Sequence, residues 1–475
     1  METFLIKALQ LIVALVILVT VHEFGHYIFA RMFGVRVNRF YLFFNPGFSL
    51  LKWNPMKGTL QIFSKSDDSA WKTVRVGKAH SPRPDGKPTW RDTVYGLGWL
   101  PLGGYCDIAG MVDETKSSKD LAAEPQPWEF RSKAAWKRLL VMAAGVIFNF
   151  LLAIVIYIGI AAHWGDRVIA YQDMTEGMDF SEPMHRAGFQ DGDIILALNG
   201  EAIDPRDSSN GWDFIQPGSR LTLLRDHRDT LDITVNDALL RELVEANQQY
   251  MGIRIPVMVD EPVGGEGAAQ AGIISGDRIV AVDGKPTPAL TEFFPALEAV
   301  KGKTVPMTVL RGGSELDMDV AVSDAGKIGI KLLSPDKIFK VSEIKYNIFQ
   351  AVPRGIRKGT DQLVTYVSSL KLVFTKEGAK SLGGFGTLGS LFPTKWNWLS
   401  FWEIAAFLSV ILAFMNIIPI PALDGGYILF LFVEIITRRR PSERFIEVAN
   451  MIGMGFLFLL LIYANFNDIY RLVLK

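Results

Sequence analysis

Apolar and polar positions divide the chain into two regimes. Four stretches are apolar almost without a break and about 20 residues long, the length a helix needs to cross the hydrocarbon of a bilayer. They are residues 4–20, continuing to 30, then 139–162, 401–420 and 451–470. Lys7 and Gln10 interrupt the first, and Asn149 lies inside the second. A cleaved signal peptide is the rival reading of the first stretch. It fails because no small-residue site follows, and His22, Glu23 and His26 stand where cleavage would fall.

Between the second and third spans the pattern changes to short strands and turns, and it repeats. Ala187-Gly188, Gly192-Asp193, Ile195, Ala197 and Asn199-Gly200 recur as Ala271-Gly272, Gly276-Asp277, Ile279, Ala281 and Asp283-Gly284. The spacing between the two copies is constant, 188 to 272 and 200 to 284. Each copy reads as a turn, a strand and an Asn-Gly or Asp-Gly hairpin. Residues 33–108 hold short β-type runs, at 35–44, 73–76 and 93–99, broken by Pro, Gly and Asn. They predict a small sheet partly dipping into the bilayer. Gly96, Gly98, Gly103 and Gly104 in its last part suit close approach of another backbone, with Gly103-Gly104-Tyr105 as an open edge. Residues 113–127 read as an exposed loop and 381–390 as a Gly-rich loop or re-entrant turn. Residues 338–374 carry apolar positions at three- and four-residue steps, which predicts two amphipathic helices broken near Pro353.

Composition adds limits. With 50 basic and 50 acidic residues, the balance gives no reason to expect a nucleic-acid partner. A mean hydropathy of +0.21 suits a membrane protein with soluble parts. The single cysteine, Cys106, excludes a disulfide framework and a cysteine-rich zinc module. Lys133, Lys137 and Arg138 precede the second span, and Arg438, Arg439, Arg440 and Arg444 lie between the third and fourth. The positive-inside rule makes those segments cytoplasmic. Both termini and the repeat then face outwards.

The chemistry is concentrated in His22-Glu23-Phe24-Gly25-His26. Helical positions i and i+4 share a face, so both imidazoles can reach one metal ion, and Glu23 at the edge of that face can take a proton from water. Two histidines and a glutamate near hydrocarbon are costly unless they have work to do. Catalytic zinc takes three protein ligands, leaving one position open. His163, His185 and His227 fall on the outer side, and His80 lies in a polar loop. Asp424, in Asn416-Ile-Ile-Pro419-Ile-Pro421-Ala-Leu-Asp424-Gly425-Gly426, is the better third ligand. The first and third spans both run inwards, and His22 and Asp424 come after about 18 and about 23 residues, so they reach similar depth. The two prolines would break the third helix there, and the glycines would let backbone approach the metal site. A helix-capping aspartate after Pro421 is the other role open to Asp424.

These motifs, with Pro101-Leu-Gly-Gly-Tyr105 and the double repeat, resemble the site-2 proteases, zinc metalloproteases that work inside membranes. The likeness covers nearly the whole chain and is nearest to the bacterial branch that regulates sigma-E. It implies a polytopic α-helical membrane protein with four transmembrane helices, a membrane-associated β region and two tandem PDZ-like domains, at 163–250 and 251–335. It implies a bacterial inner-membrane enzyme with periplasmic PDZ domains and an active site near the cytoplasmic face. His22, His26 and Asp424 would bind Zn2+ and Glu23 would be the general base. Asn149, Asn416, Gly103, Gly104 and Tyr105 would meet substrate. The resemblance implies single-pass substrates: anti-sigma factors already cut once, and remnant signal peptides. Cys106 replaces a frequent valine, and a Gly-Pro pair common before the third span is absent. Two other classes remain: a PDZ scaffold without peptidase activity, which leaves Glu23 and Asp424 unexplained, and a zinc transporter, which would more often show repeats among its spans.

Overall fold

Inside a bilayer a segment must satisfy its own backbone groups, and all four apolar stretches are helical in the computed structural model, which describes residues 2–65, 69–101, 103–111, 124–203, 210–246, 250–373 and 383–474. The chain forms two compact units, Met1–Trp164 with Lys345–Lys475, and Gly165–Ile344. The α-helices of the first unit are α1 (Glu2–Met32), α2 (Ala135–His163), α3 (Ile348–Val373), α4 (Phe385–Ser390), α5 (Trp398–Ile417), α6 (Asp424–Thr437) and α7 (Glu443–Leu474). Of these, α1, α2, α5 and α7 are long and apolar enough to cross a membrane.

Polar interruptions in the spans have specific partners. The buried Gln10 side chain donates to the Pro393 carbonyl at 2.9 Å, and Lys7 donates to Ser390 at 3.4 Å. Arg138, just ahead of the second apolar stretch, is buried and pairs with Glu434 of α6 at 2.5 Å.

The break expected at the prolines is present: α5 stops at Ile417, ahead of Pro419 and Pro421, which cannot continue a helix, and the chain turns through Ala422 (φ 77°) into α6. Two expectations need correction. Residues 348–373 form one helix with Pro353 inside it. That proline lies in the second turn, where it removes a single ladder bond close to the exposed N-terminal end. The Gly-rich 381–390 segment ends in α4, whose N-terminus is held by the Asp468 carboxylate: it accepts from Gly384 N and Thr387 N, both at 3.0 Å. Residues 381 and 382 lie outside the described residues, as does most of the 113–127 loop.

The β region of the first unit is a six-stranded sheet: β1 (Val37–Leu42), β2 (Phe48–Asn54), β3 (Thr59–Lys65), β4 (Ala70–Arg75), β5 (Val94–Leu97) and β6 (Tyr105–Ile108), in the order β4-β3-β2-β5-β1-β6. The three expected runs correspond to β1, β4 and β5. The other three strands lack the clean alternation that a strand buried on one face shows. Strand β6 pairs antiparallel with β1 and lies at the edge. Val35, Val37 and Ile108 join Ala30 of α1, Val141 of α2 and Tyr427 of α6 in one buried cluster, which anchors this end of the sheet to the helices.

In the second unit each repeat copy has its own apolar core, one around Phe189, Ile195 and Phe214, the other around Ile273, Ile279 and Phe293. The repeated residues do equivalent work. Asn199-Gly200 and Asp283-Gly284 all have positive φ, as a type I′ hairpin requires. Asp193 and Asp277 each accept a bidentate pair of bonds from an arginine, Arg225 and Arg311, at 2.7 and 2.8 Å. Hydrogen bonds from Arg311 hold the Asp277 carboxyl below the usual carboxylate range. Strand Met251–Ile253 pairs with Met178–Phe180 of the first copy, and Ser342–Ile344 pairs with Asp166–Val168, so the two ends of the unit are tied together.

Candidate metal centre and active site

Helical spacing puts His22 and His26 on one face of α1, and the crossing with α2 fixes how the rings turn. A Cβ on Gly25 would fall 2.6 Å from the Ala144 carbonyl oxygen. A Cβ on Gly145 would fall 2.4 Å from His26 Nε2 and 2.6 Å from His22 Cε1. Gly145 therefore leaves the space that the two imidazoles fill. The Pro419–Pro421 turn then brings the first residue of α6, Asp424, to the rings. Leu423 holds the N-cap position, so the capping role does not fall to Asp424. Gly425 and Gly426 instead pack against the turn before them, where Cβ atoms would strike the Ile418 and Ile420 carbonyl oxygens at 2.1 and 2.6 Å. They allow the fold-back rather than an approach to the metal site, which corrects the expectation.

The three donor atoms form a small triangle. Asp424 Oδ2 is 3.1 Å from His22 Nε2 and 3.3 Å from His26 Nε2, and the two Nε2 atoms are 3.2 Å apart. A tetrahedral ion with bonds of about 2.0 Å spaces its ligands by about 3.3 Å. His26 Nδ1 lies 2.8 Å from the Val141 carbonyl, which fixes the proton there and leaves the Nε2 lone pair for a cation. Asp424 Oδ2 is buried and without a hydrogen-bond partner. Three lone pairs aimed at one point repel unless a cation joins them. The residues fit zinc.

The triangle opens on a cavity of about 620 Å³. Its wall includes Glu23, the edge residues Gly103, Gly104, Tyr105 and Cys106, Asn416 at the end of α5, and Asn450, Met451 and Met454 of α7. Thus Asn416 and Gly103–Tyr105 share one space with the three donors. Asn149 does not line it; it is fully buried behind His22, with its amide 3.2 Å from Nδ1. The glycines expected to admit a foreign backbone face the sheet itself: Gly96 lies under the Tyr41 ring, and Gly98 and Gly104 lie against the Phe44 and Tyr41 carbonyls. Sequence reasoning missed Gly145, Val141 and the α7 wall. Only the spacing Gly145-x-x-x-Asn149 signalled that a small residue and a polar one share a face of α2.

Among the described residues a second acidic cluster, Asp179, Asp191 and Glu292, occurs in the second unit. Arg254 pairs with Asp179 and Glu292, and His185 lies 2.9 Å from Asp191, so protein groups already serve its carboxylates.

The sequence matches Peptidase family M50 over residues 10–64 and 86–460. The chain belongs to this family. It is similar to the regulator of sigma-E protease RseP of Escherichia coli K12, 28% identical over 99% of this chain and 100% of that protein. It is similar to RseP of Salmonella typhimurium, 27% identical over 97% of this chain and 98% of the relative. A Neisseria meningitidis chain carrying a zinc metalloprotease name is 26% identical over 98% and 99% of the two chains. This M50 peptidase is a zinc metalloendopeptidase of the site-2 type, which decides against the scaffold and transporter readings.

Zinc in such a site supplies Lewis acidity toward a peptide carbonyl and acidifies water. The protein's part is to hold and to accept. His22, His26 and Asp424 offer three donors from one side, leaving the cavity side open. Glu23 lines the cavity outside the donor triangle, where a carboxylate can accept a proton from water and return it to the leaving amine.

Proposed function

We propose that this M50 peptidase cleaves single-pass membrane proteins within or beside their spanning helix, with His22, His26 and Asp424 as zinc ligands and Glu23 as general base. The observation that carries this reading is the shared cavity: an edge strand, β6, lines the space onto which the donor triangle opens. Peptide bonds in a transmembrane helix are hidden in its own hydrogen-bond ladder, so a protease must capture an unwound stretch. A sheet edge can capture one by strand addition, and an exposed edge otherwise invites unwanted pairing. Gly103, Gly104 and Tyr105 would contact that strand, and Asn416 would meet it from α5. The basic segments flanking α2 and α7 support a site near the cytoplasmic face of a bacterial inner membrane. The repeat copies, read as two periplasmic PDZ domains, would filter out substrates with bulky outer domains. Two relatives carry the name regulator of sigma-E protease; the substrates we infer, from the family resemblance, are an anti-sigma factor after a first cut and remnant signal peptides.

A Glu23→Gln variant tests the reading. Loss of a general base slows the chemical step by about 100- to 10,000-fold, and zinc is retained because Glu23 is not a donor. Single-pass proteins should then accumulate uncleaved and co-purify with the variant. Cleavage at the wild-type rate by Glu23→Gln would sink the assignment.

A further inference from the structure

Asn149 is a fully buried amide within a membrane-spanning helix, and its Oδ1 has no hydrogen-bond partner among the described residues. Burying such a group is costly, so its neighbour needs an explanation. The amide atom that faces His22 Nδ1, at 3.2 Å, is Nδ2, and a half-turn about the terminal side-chain bond exchanges it with Oδ1. An imidazole that gives Nε2 to a cation carries its proton on Nδ1 and must donate it. The amide meets that demand only by turning its carbonyl oxygen to the ring. The stripe Val141, Gly145, Asn149 on α2 then has a simple order: an acceptor for His26, a gap for both rings, and an acceptor for His22. Asn149 is itself held from behind, because Ser409 Oγ of α5 donates to its backbone carbonyl at 2.7 Å.

We propose that Asn149 is a positioning residue for the metal centre: its side-chain oxygen accepts the His22 Nδ1 proton and aims Nε2 at Asp424. The proposal rests on His22, His26 and Asp424 being the zinc ligands, and it assigns Asn149 to the metal centre rather than to substrate.

The test is zinc affinity of the full-length protein in detergent, measured by competition with a chromogenic chelator. Outer-shell partners of metal-bound histidines are worth about 10- to 100-fold in affinity. Asn149→Leu, similar in size but without an acceptor, should weaken zinc by that factor, and Asn149→Ala should do the same should the leucine not fold. Asn149→Asp, which restores an acceptor, should bind within a few-fold of wild type. Excess zinc should restore cleavage by Asn149→Ala. Zinc held as tightly by the Leu and Ala variants as by wild type would overturn the proposal, as would slow cleavage by Asn149→Ala at saturating zinc, since that places the amide against substrate. Failure of the wild-type protein itself to bind zinc would instead overturn the ligand assignment beneath it.

Discussion

Gly145→Ala is the sharpest probe of how α2 builds the metal centre. The added methyl would stand 2.4 Å from His26 Nε2, about 1 Å inside the 3.4 Å at which ordinary van der Waals contact begins. His22 Cε1, at 2.6 Å, blocks the obvious escape on the other side. Either a ring or the α1–α2 crossing must move by about that distance, and Gly25 against Ala144 leaves the helices little freedom to slide. Metal–ligand distances tolerate shifts of about 0.2 Å. A displacement of about 1 Å therefore breaks the 3.1–3.3 Å triangle. We expect zinc affinity to fall by more than about 100-fold, beyond the effect of losing an outer-shell partner, and cleavage to fall with it. Gly159→Ala is the matched control, since nothing lies within 4 Å of a Cβ there and alanine is the better helix former. The assay is zinc per chain by elemental analysis after dialysis against a chelator series. One zinc per chain at wild-type affinity in Gly145→Ala would show that the rings are not held by this cradle.

Other expectations follow from the edge and the repeat. Proline at Tyr105 removes an amide and should slow cleavage of a membrane substrate strongly while zinc content stays at one per chain, whereas Tyr105→Phe should be mild; cleavage by Tyr105→Pro at the wild-type rate, at matched expression and zinc content, would rule out β6 as the docking strand. The Asp277 carboxyl, held low by Arg311, contributes stability that is complete above the ordinary carboxylate range and is lost as pH falls through its folded value. Asp277→Asn should therefore lower the thermal midpoint at pH 7, with the gap to wild type closing as the medium is acidified below about pH 4; a gap unchanged between pH 7 and pH 3 would contradict the pairing.

Local chemistry explains what could be read without coordinates. A bilayer sets a minimum helix length, so the four spans stand out as apolar runs. Histidines four apart share a helical face, so His22 and His26 are recognisable as a ligand pair. Turns that need positive φ select Asn-Gly and Asp-Gly, which is why the repeat is visible at 199–200 and 283–284. Asp424 followed from depth arguments and from a motif, both of which depend on short-range order.

Only the tertiary structure decided what is remote along the chain. Nothing near position 145 indicates that a methyl group there would strike rings at 22 and 26, and nothing near 193 or 277 identifies Arg225 and Arg311 as partners. The edge position of β6 depends on which strands pair, β1 running parallel to β5 and antiparallel to β6. The break between α5 and α6 is signalled by the prolines, but the fold-back that carries Asp424 to the histidines needs the Ala422 turn and two glycines packed on carbonyl oxygens. Period and turn chemistry are properties of neighbouring residues. Hydrogen-bond partners, cavities and sheet edges are properties of distances that exist only once the helices have crossed.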